Sequence, residues 1–172
     1  MLTIVLAAVA AVQSVTTDIP SPTPVPPGRA AVTAPAPAAP APGSPASDAL
    51  IARAKQALEQ GDFTEARRQF VMAVALDRDE GRLPVASTFG LAHVLYAQSY
   101  NREAAIVLER LAADAQMKGD ADTEARALLD AIWLHTDAKQ YAPARNDARR
   151  LKELLKSPGL SAETRKLVQS AT

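Results

Sequence analysis

The chain has no cysteine, two histidines, seven glycines and seven aromatic rings in 172 residues. Without cysteine there is no disulfide framework, thiolate metal site, cysteine nucleophile or lipid-modified cysteine. So few aromatics argue against a sandwich or barrel, whose strands lean on Phe, Tyr and Val. Nineteen Lys plus Arg balance nineteen Asp plus Glu, so bulk charge does not draw the chain to a polyanion. No Gly-x-Ser-x-Gly turn, glycine-rich phosphate loop or pair of catalytic carboxylates occurs. His93 and His135 lie about 40 residues apart with no evident third ligand, so neither a zinc site nor any other metal site is expected. Asp77, Asp79 and Glu80 crowd one joint but lack the glycine and ligand ladder of a calcium loop; a solvated acidic loop is expected there. No cofactor and no catalytic residue is assigned, and the chain is read as a non-enzyme.

What is abundant is alanine, with 37 residues, and alanine favours helix. Composition divides the chain into three. Residues 1–17 open almost wholly apolar, from Leu2 through Val12. As a helix the first fifteen would span roughly 22 Å, short of the ~30 Å hydrocarbon core, which suits a signal-peptide hydrophobic region with Ser14 near the cleavage site. Met1-Leu2-Thr3 carries no basic residue, so an uncleaved, weakly anchoring segment remains the alternative. Residues 18–47 hold ten of the thirteen prolines among Ala, Ser, Thr and Val. Proline at that density removes amide donors and precludes helix or sheet, so a disordered, semi-rigid spacer is expected. A leader followed by a Pro/Ala tether suggests export to a bacterial periplasm or cell envelope.

From residue 48 to 172 the spacing is helical. Leu50, Ala54, Ala57 and Leu58 follow the three-and-four rhythm of one face, with Ser47 or Asp48 as the expected N-cap. Gly61-Asp62 breaks the pattern, and Phe63, Ala66, Phe70, Ala73 and Val74 restart it. Two helices joined by so short a turn pack antiparallel. The first hairpin reads Leu50-x2-Arg53-Ala54-x2-Ala57, the turn Gln60-Gly61-Asp62-Phe63, then Glu65-Ala66-x3-Phe70-x2-Ala73. A second reads Thr88-x2-Leu91-Ala92-x2-Leu95, then Glu103-Ala104-x3-Leu108-x2-Leu111. A third reads Leu128-x2-Ala131-Ile132-x2-His135, then Tyr141 and Ala144-x3-Ala148-x2-Leu151. This pattern resembles the tetratricopeptide repeat. Successive copies lie 38 and 40 residues apart rather than 34, no copy ends in the usual proline, and Pro143 sits where the first turn of a helix tolerates it. The resemblance implies an all-α fold: three tandem antiparallel helix hairpins in an α-solenoid, with a C-terminal capping helix from Ser161 through Val168.

In that family the first helix of each hairpin lines a groove for peptides or partner helices. The resemblance places Lys55, Phe89, His93, Tyr96, Arg126, Asp130 and Trp133 on this surface, where aromatics and Arg make effective anchors. Burial between repeats is the alternative for Phe89 and Trp133, and a one-residue slip would exchange Ile132 and Trp133. Ile51, Gly90 and Asp130 stand where the carboxylate-clamp members of the family carry Lys, Asn and Arg, so a C-terminal carboxylate ligand is not expected. Residues 138–172 carry eight basic and three acidic groups, against ten and fifteen in 48–137. Arg145, Arg149, Lys152 and Lys156 recur at steps of four, three and four and form a basic face. A non-enzymatic interaction scaffold in the bacterial envelope is the expectation, with a protein partner as peptide or helix and no nucleic acid. The alternative is a membrane-associated accessory or assembly subunit whose basic face meets an anionic membrane surface.

Overall fold

A computed structural model describes residues 44–171; the apolar segment and nearly all of the Pro/Ala segment lie outside the described residues. The described part is all-helical: α1 (Pro45–Glu59), α2 (Phe63–Asp79), α3 (Val85–Ala97), α4 (Asn101–Lys118), α5 (Ala121–Asp137), α6 (Tyr141–Leu154) and α7 (Ala162–Ala171). α1 starts inside the stretch 18–47 expected to be spacer, and its N-cap is Ser44 rather than Ser47 or Asp48. The reason is local: Pro45 falls at the first helical position, where a missing N–H costs nothing. Ser47 is consequently buried.

Each of the five joints from α1 to α6 turns on one left-handed residue: Gly61, Gly81, Ser99, Gly119 and Lys139. At every joint the next amide reaches back five residues, as Asp62 N to Ala57 O (2.8 Å) and Gln140 N to His135 O (2.7 Å). The left-handed residue itself donates to the carbonyl three before it, as in Ser99 N to Tyr96 O (2.8 Å). These paired bonds close the orphan carbonyls of a helix end. Starts are capped in turn: Asp62 Oδ1 accepts from Glu65 N, Asp120 Oδ1 from Thr123 N and Ser161 Oγ from Thr164 N. Ser161 thus caps α7, where the sequence pattern places it.

Each helix from α2 to α6 packs on the one before it, and α7 folds back on α5. Ala66, Ala104 and Ala144, which recur at one position of the three hairpin patterns, are all buried. The core has two clusters. Ile51, Phe70, Leu95 and Leu108 belong to the first; Leu128, Leu151, Leu160 and Val168 belong to the second; Phe89 packs against both. Phe70 lies so close to α3 that a Cβ on Gly90 would stand 2.3 Å from its ring.

Asp77 corrects the expectation of a solvated acidic loop. It lies in α2, buried, accepting from Arg82 Nη2 at 2.8 Å and from Ser87 Oγ at 3.2 Å. The carboxylate ties the α2–α3 joint together, and a paired, hydrogen-bonded charge is the form in which burial is tolerated. Arg165 has a comparable role, donating to the carbonyls of Leu155, Ser157 and Leu160 and holding the turn before α7.

Overpacking against a buried ring costs about 1–3 kcal/mol, so Gly90→Ala is expected to lower the unfolding free energy by about that much in a urea titration. Gly159→Ala, where a Cβ meets only ordinary contacts, is expected to stay within about 0.5 kcal/mol of the parent. Ser99→Gly is expected to stabilise by up to about 1 kcal/mol, because Ser99 occupies the left-handed region that glycine enters without strain.

Candidate functional site

The residues expected on the groove are carried by α1, α3 and α5. Lys55, His93, Arg126, Asp130 and Trp133 are exposed, while Phe89 and Tyr96 are partly buried. Tyr96 and Trp133 meet edge to face with ring centroids 5.0 Å apart, an arrangement aromatic quadrupoles favour. Arg126 stands over the Phe89 ring at 5.9 Å, within reach of a cation–π contact. Both contacts join α3 to α5 across 37 residues, and the same offset sets His93 abreast of Asp130 in register. The third-hairpin register is therefore settled: Ile132 packs on the second core cluster and Trp133 faces out with 37% of its surface accessible. Asp130 is accessible yet crowded by its surroundings, and lost hydration raises its carboxyl above the ordinary value while Arg126 opposes the rise. Lys55 makes no ion pair or hydrogen bond with the other six among the described residues.

Of the basic face, Arg145, Arg149 and Lys152 lie on α6, whereas Lys156 falls in the turn beyond Leu154. All four are exposed, and none forms an ion pair among the described residues. Their neighbour Arg150 is committed instead to buried Glu124 on α5. Beside Lys152 lies an apolar cleft of ≈ 390 Å³ between α5, α6 and α7, lined by Leu129, Ile132, Leu151 and Leu155.

A cluster that the sequence pattern did not disclose forms around His135. Where the sequence shows no evident third ligand for the histidines, α4 brings Glu109 and α6 brings Asp147 to the His135 ring. Glu109 Oε1 is 2.9 Å from Nε2, the Gln140 side-chain oxygen 2.9 Å from Nδ1, and Asp147 Oδ2 3.8 Å from Nε2. His135 is 2% exposed, so these are contacts of a buried imidazole. Asp147 Oδ2 is shielded from water and has no hydrogen-bond partner. One ligating atom from each of Glu109, His135 and Asp147 lies within 4.8 Å of the others. An open cleft of ≈ 490 Å³ reaches Glu109 and His135 between α4 and α6, with Arg102, Ile106, Lys139 and Tyr141 in its walls.

No family model, curated protein or solved structure matches the chain. The site must therefore be judged by its chemistry alone. No described helix is long and apolar enough to cross a membrane. The α3–α5 face carries exposed rings and charge, residue types that recognition surfaces use. The His135 cluster is a buried group of an imidazole and two carboxylates beside a cleft. Glu109 and Asp147 were invisible as its members because they come from two further helices, 26 residues before His135 and 12 after it.

Asp147 supplies a test of this geometry. Lost hydration, then repulsion from Glu109, raises its carboxyl from 3.8 to about 6, with His135 acting the other way. A raised acid holds its proton longer folded than unfolded, so stability falls as pH rises between those two values and levels off above them. In buffer containing a chelator, Asp147→Asn is expected to lack this fall. Its melting temperature should overtake the parent's as pH passes from 4 to 7 in thermal unfolding followed by circular dichroism. A constant difference across that range would place Asp147 outside the cluster's electrostatics.

Proposed function

We propose that the chain is a non-enzymatic protein–protein interaction scaffold that takes a partner peptide or helix against α3 and α5. The observation that carries this reading is the exposed strip in which Tyr96 braces Trp133 and Phe89 seats Arg126. Aromatic and arginine side chains dominate binding hot spots, and ones already held by neighbours lose little freedom on binding. The architecture we read behind it is three tetratricopeptide-like hairpins (α1–α2, α3–α4, α5–α6) stacked as an α-solenoid, with α7 as the cap. Like-with-like contacts support that reading. Arg78 on α2 pairs with Asp114 on α4 across 36 residues, and Lys118 on α4 reaches Gly81 O in the α2–α3 joint across 37. Phe89–Arg126 and Tyr96–Trp133 span 37 between α3 and α5. A nearly constant offset in both layers is what tandem repetition of one hairpin produces.

Export to the bacterial periplasm or cell envelope remains part of the proposal and rests on residues 1–43 by composition alone. A second reading, a membrane-associated accessory or assembly subunit, is favoured by one observation: Arg145, Arg149, Lys152 and Lys156 are exposed together and form no ion pair among the described residues. Such a cluster attracts anionic lipid headgroups.

Capture experiments from the native envelope, with the full chain as bait, separate the two. A partner is expected to be retained by the parent and by the Arg145/Arg149/Lys152 triple charge reversal, and lost with Trp133→Ala at an unchanged melting temperature. Truncating a central aromatic anchor typically costs 2 kcal/mol or more, about 30-fold in affinity. Loss with the charge reversal alone, together with sedimentation of the parent on anionic vesicles, would move the function to α6.

A further inference from the structure

Two residues along a helix turn a side chain by about 200°, so His135 points away from the face that carries Trp133. Its ring stands between α4 and α6, and both of its nitrogens meet acceptors. A neutral imidazole has one N–H. In the tautomer whose Nδ1 donates to the Gln140 oxygen, the Nε2 lone pair faces Glu109 Oε1, and Asp147 Oδ2 lies just beyond it without a hydrogen-bond partner. Arg102 and Lys139 line the adjoining cleft, yet neither pairs with Glu109 or Asp147 among the described residues. Three atoms able to ligate a metal converge on one small volume, and among the described residues no Lys or Arg pairs with them. A protein interior avoids that arrangement unless something positive occupies it.

We propose that Glu109, His135 and Asp147 bind one divalent transition-metal ion of the zinc class, through His135 Nε2 and one oxygen from each carboxylate. An imidazole nitrogen with two carboxylate oxygens suits zinc and its neighbours, whereas calcium and magnesium take oxygen ligands. The two carboxylates balance the charge of a divalent ion. Gln140 has the part that an outer partner has in such sites: its oxygen accepts from Nδ1, fixes the tautomer and aims Nε2 at the metal. The distances of 2.9 and 3.8 Å from Nε2 to the two oxygens bracket the separation between ligands about 2 Å from a tetrahedral zinc. Three protein ligands leave a fourth position, and the ≈ 490 Å³ cleft gives it a path to solvent. The site lies on a different side of α5 from the proposed binding strip, so neither reading depends on the other.

The test uses the full chain, stripped with a chelator and dialysed. Zinc is added in a calorimetric titration and cobalt(II) in a parallel titration followed by visible ligand-field absorption. One ion per chain is expected, with cobalt bands of a four- or five-coordinate site and a melting temperature raised by zinc. Glu109 is partly exposed, so Glu109→Gln keeps the fold. It is expected to weaken zinc binding by at least about 100-fold, since even outer partners are worth about 10–100-fold. Gln140→Ala is expected to fall within that 10–100-fold range, and His93→Ala to bind as the parent does. No stoichiometric binding by the parent would overturn the proposal. So would parent-like affinity in both Glu109→Gln and His135→Gln with unchanged circular dichroism, or loss of binding in His93→Ala.

Discussion

Close approach of helices across alanine and glycine is the constraint on which the rest of the molecule depends. With Ala66, Ala104 and Ala144 buried, side-chain bulk does not hold the pairs apart, and Phe70 can press its ring directly onto α3 at Gly90. Dispersion contacts between backbones and small side chains then supply much of the packing that larger residues supply elsewhere. The cost is intolerance, because a methyl group added at such a contact has nowhere to go.

That tight spacing makes the joints matter. A helix that ends one residue late would misplace the next alanine face, and the repeated left-handed stop prevents this at all five joints. Two stops are made by Ser99 and Lys139 rather than glycine, accepting local strain. Buried polar groups reinforce the same places: Asp77 with Arg82 and Ser87 at the α2–α3 joint, and Glu124 with Arg150 between α5 and α6.

α5 is the element that carries both proposed sites. Along one side run Arg126, Asp130 and Trp133, of which Arg126 and Trp133 meet rings of α3; along another sits His135, in contact with α4 and α6. Three-and-four spacing lets one helix serve three neighbours. The proposed recognition strip, with its exposed rings, and the buried cluster around His135 therefore lie within three turns of the same helix.

Helical periodicity, capping residues and the recurrence of Ala66, Ala104 and Ala144 were enough to read seven helices' worth of pattern, including the Ser161 cap. They are local signals, set by backbone geometry within four residues. The α1 start was misread because Pro45 ended a proline-rich run in composition while beginning a helix in geometry. Whether Trp133 or Ile132 faced outward depended on which neighbour α5 met, and the Tyr96 ring decided it. Glu109, His135 and Asp147 come from three helices with no shared spacing, and their convergence follows from how α4, α5 and α6 pack. Sequence determined where helices stop and which faces are apolar, and, α1 apart, where they begin; only tertiary structure decided which polar groups meet, because a side chain's partners across helices are set by packing distance and not by position along the chain.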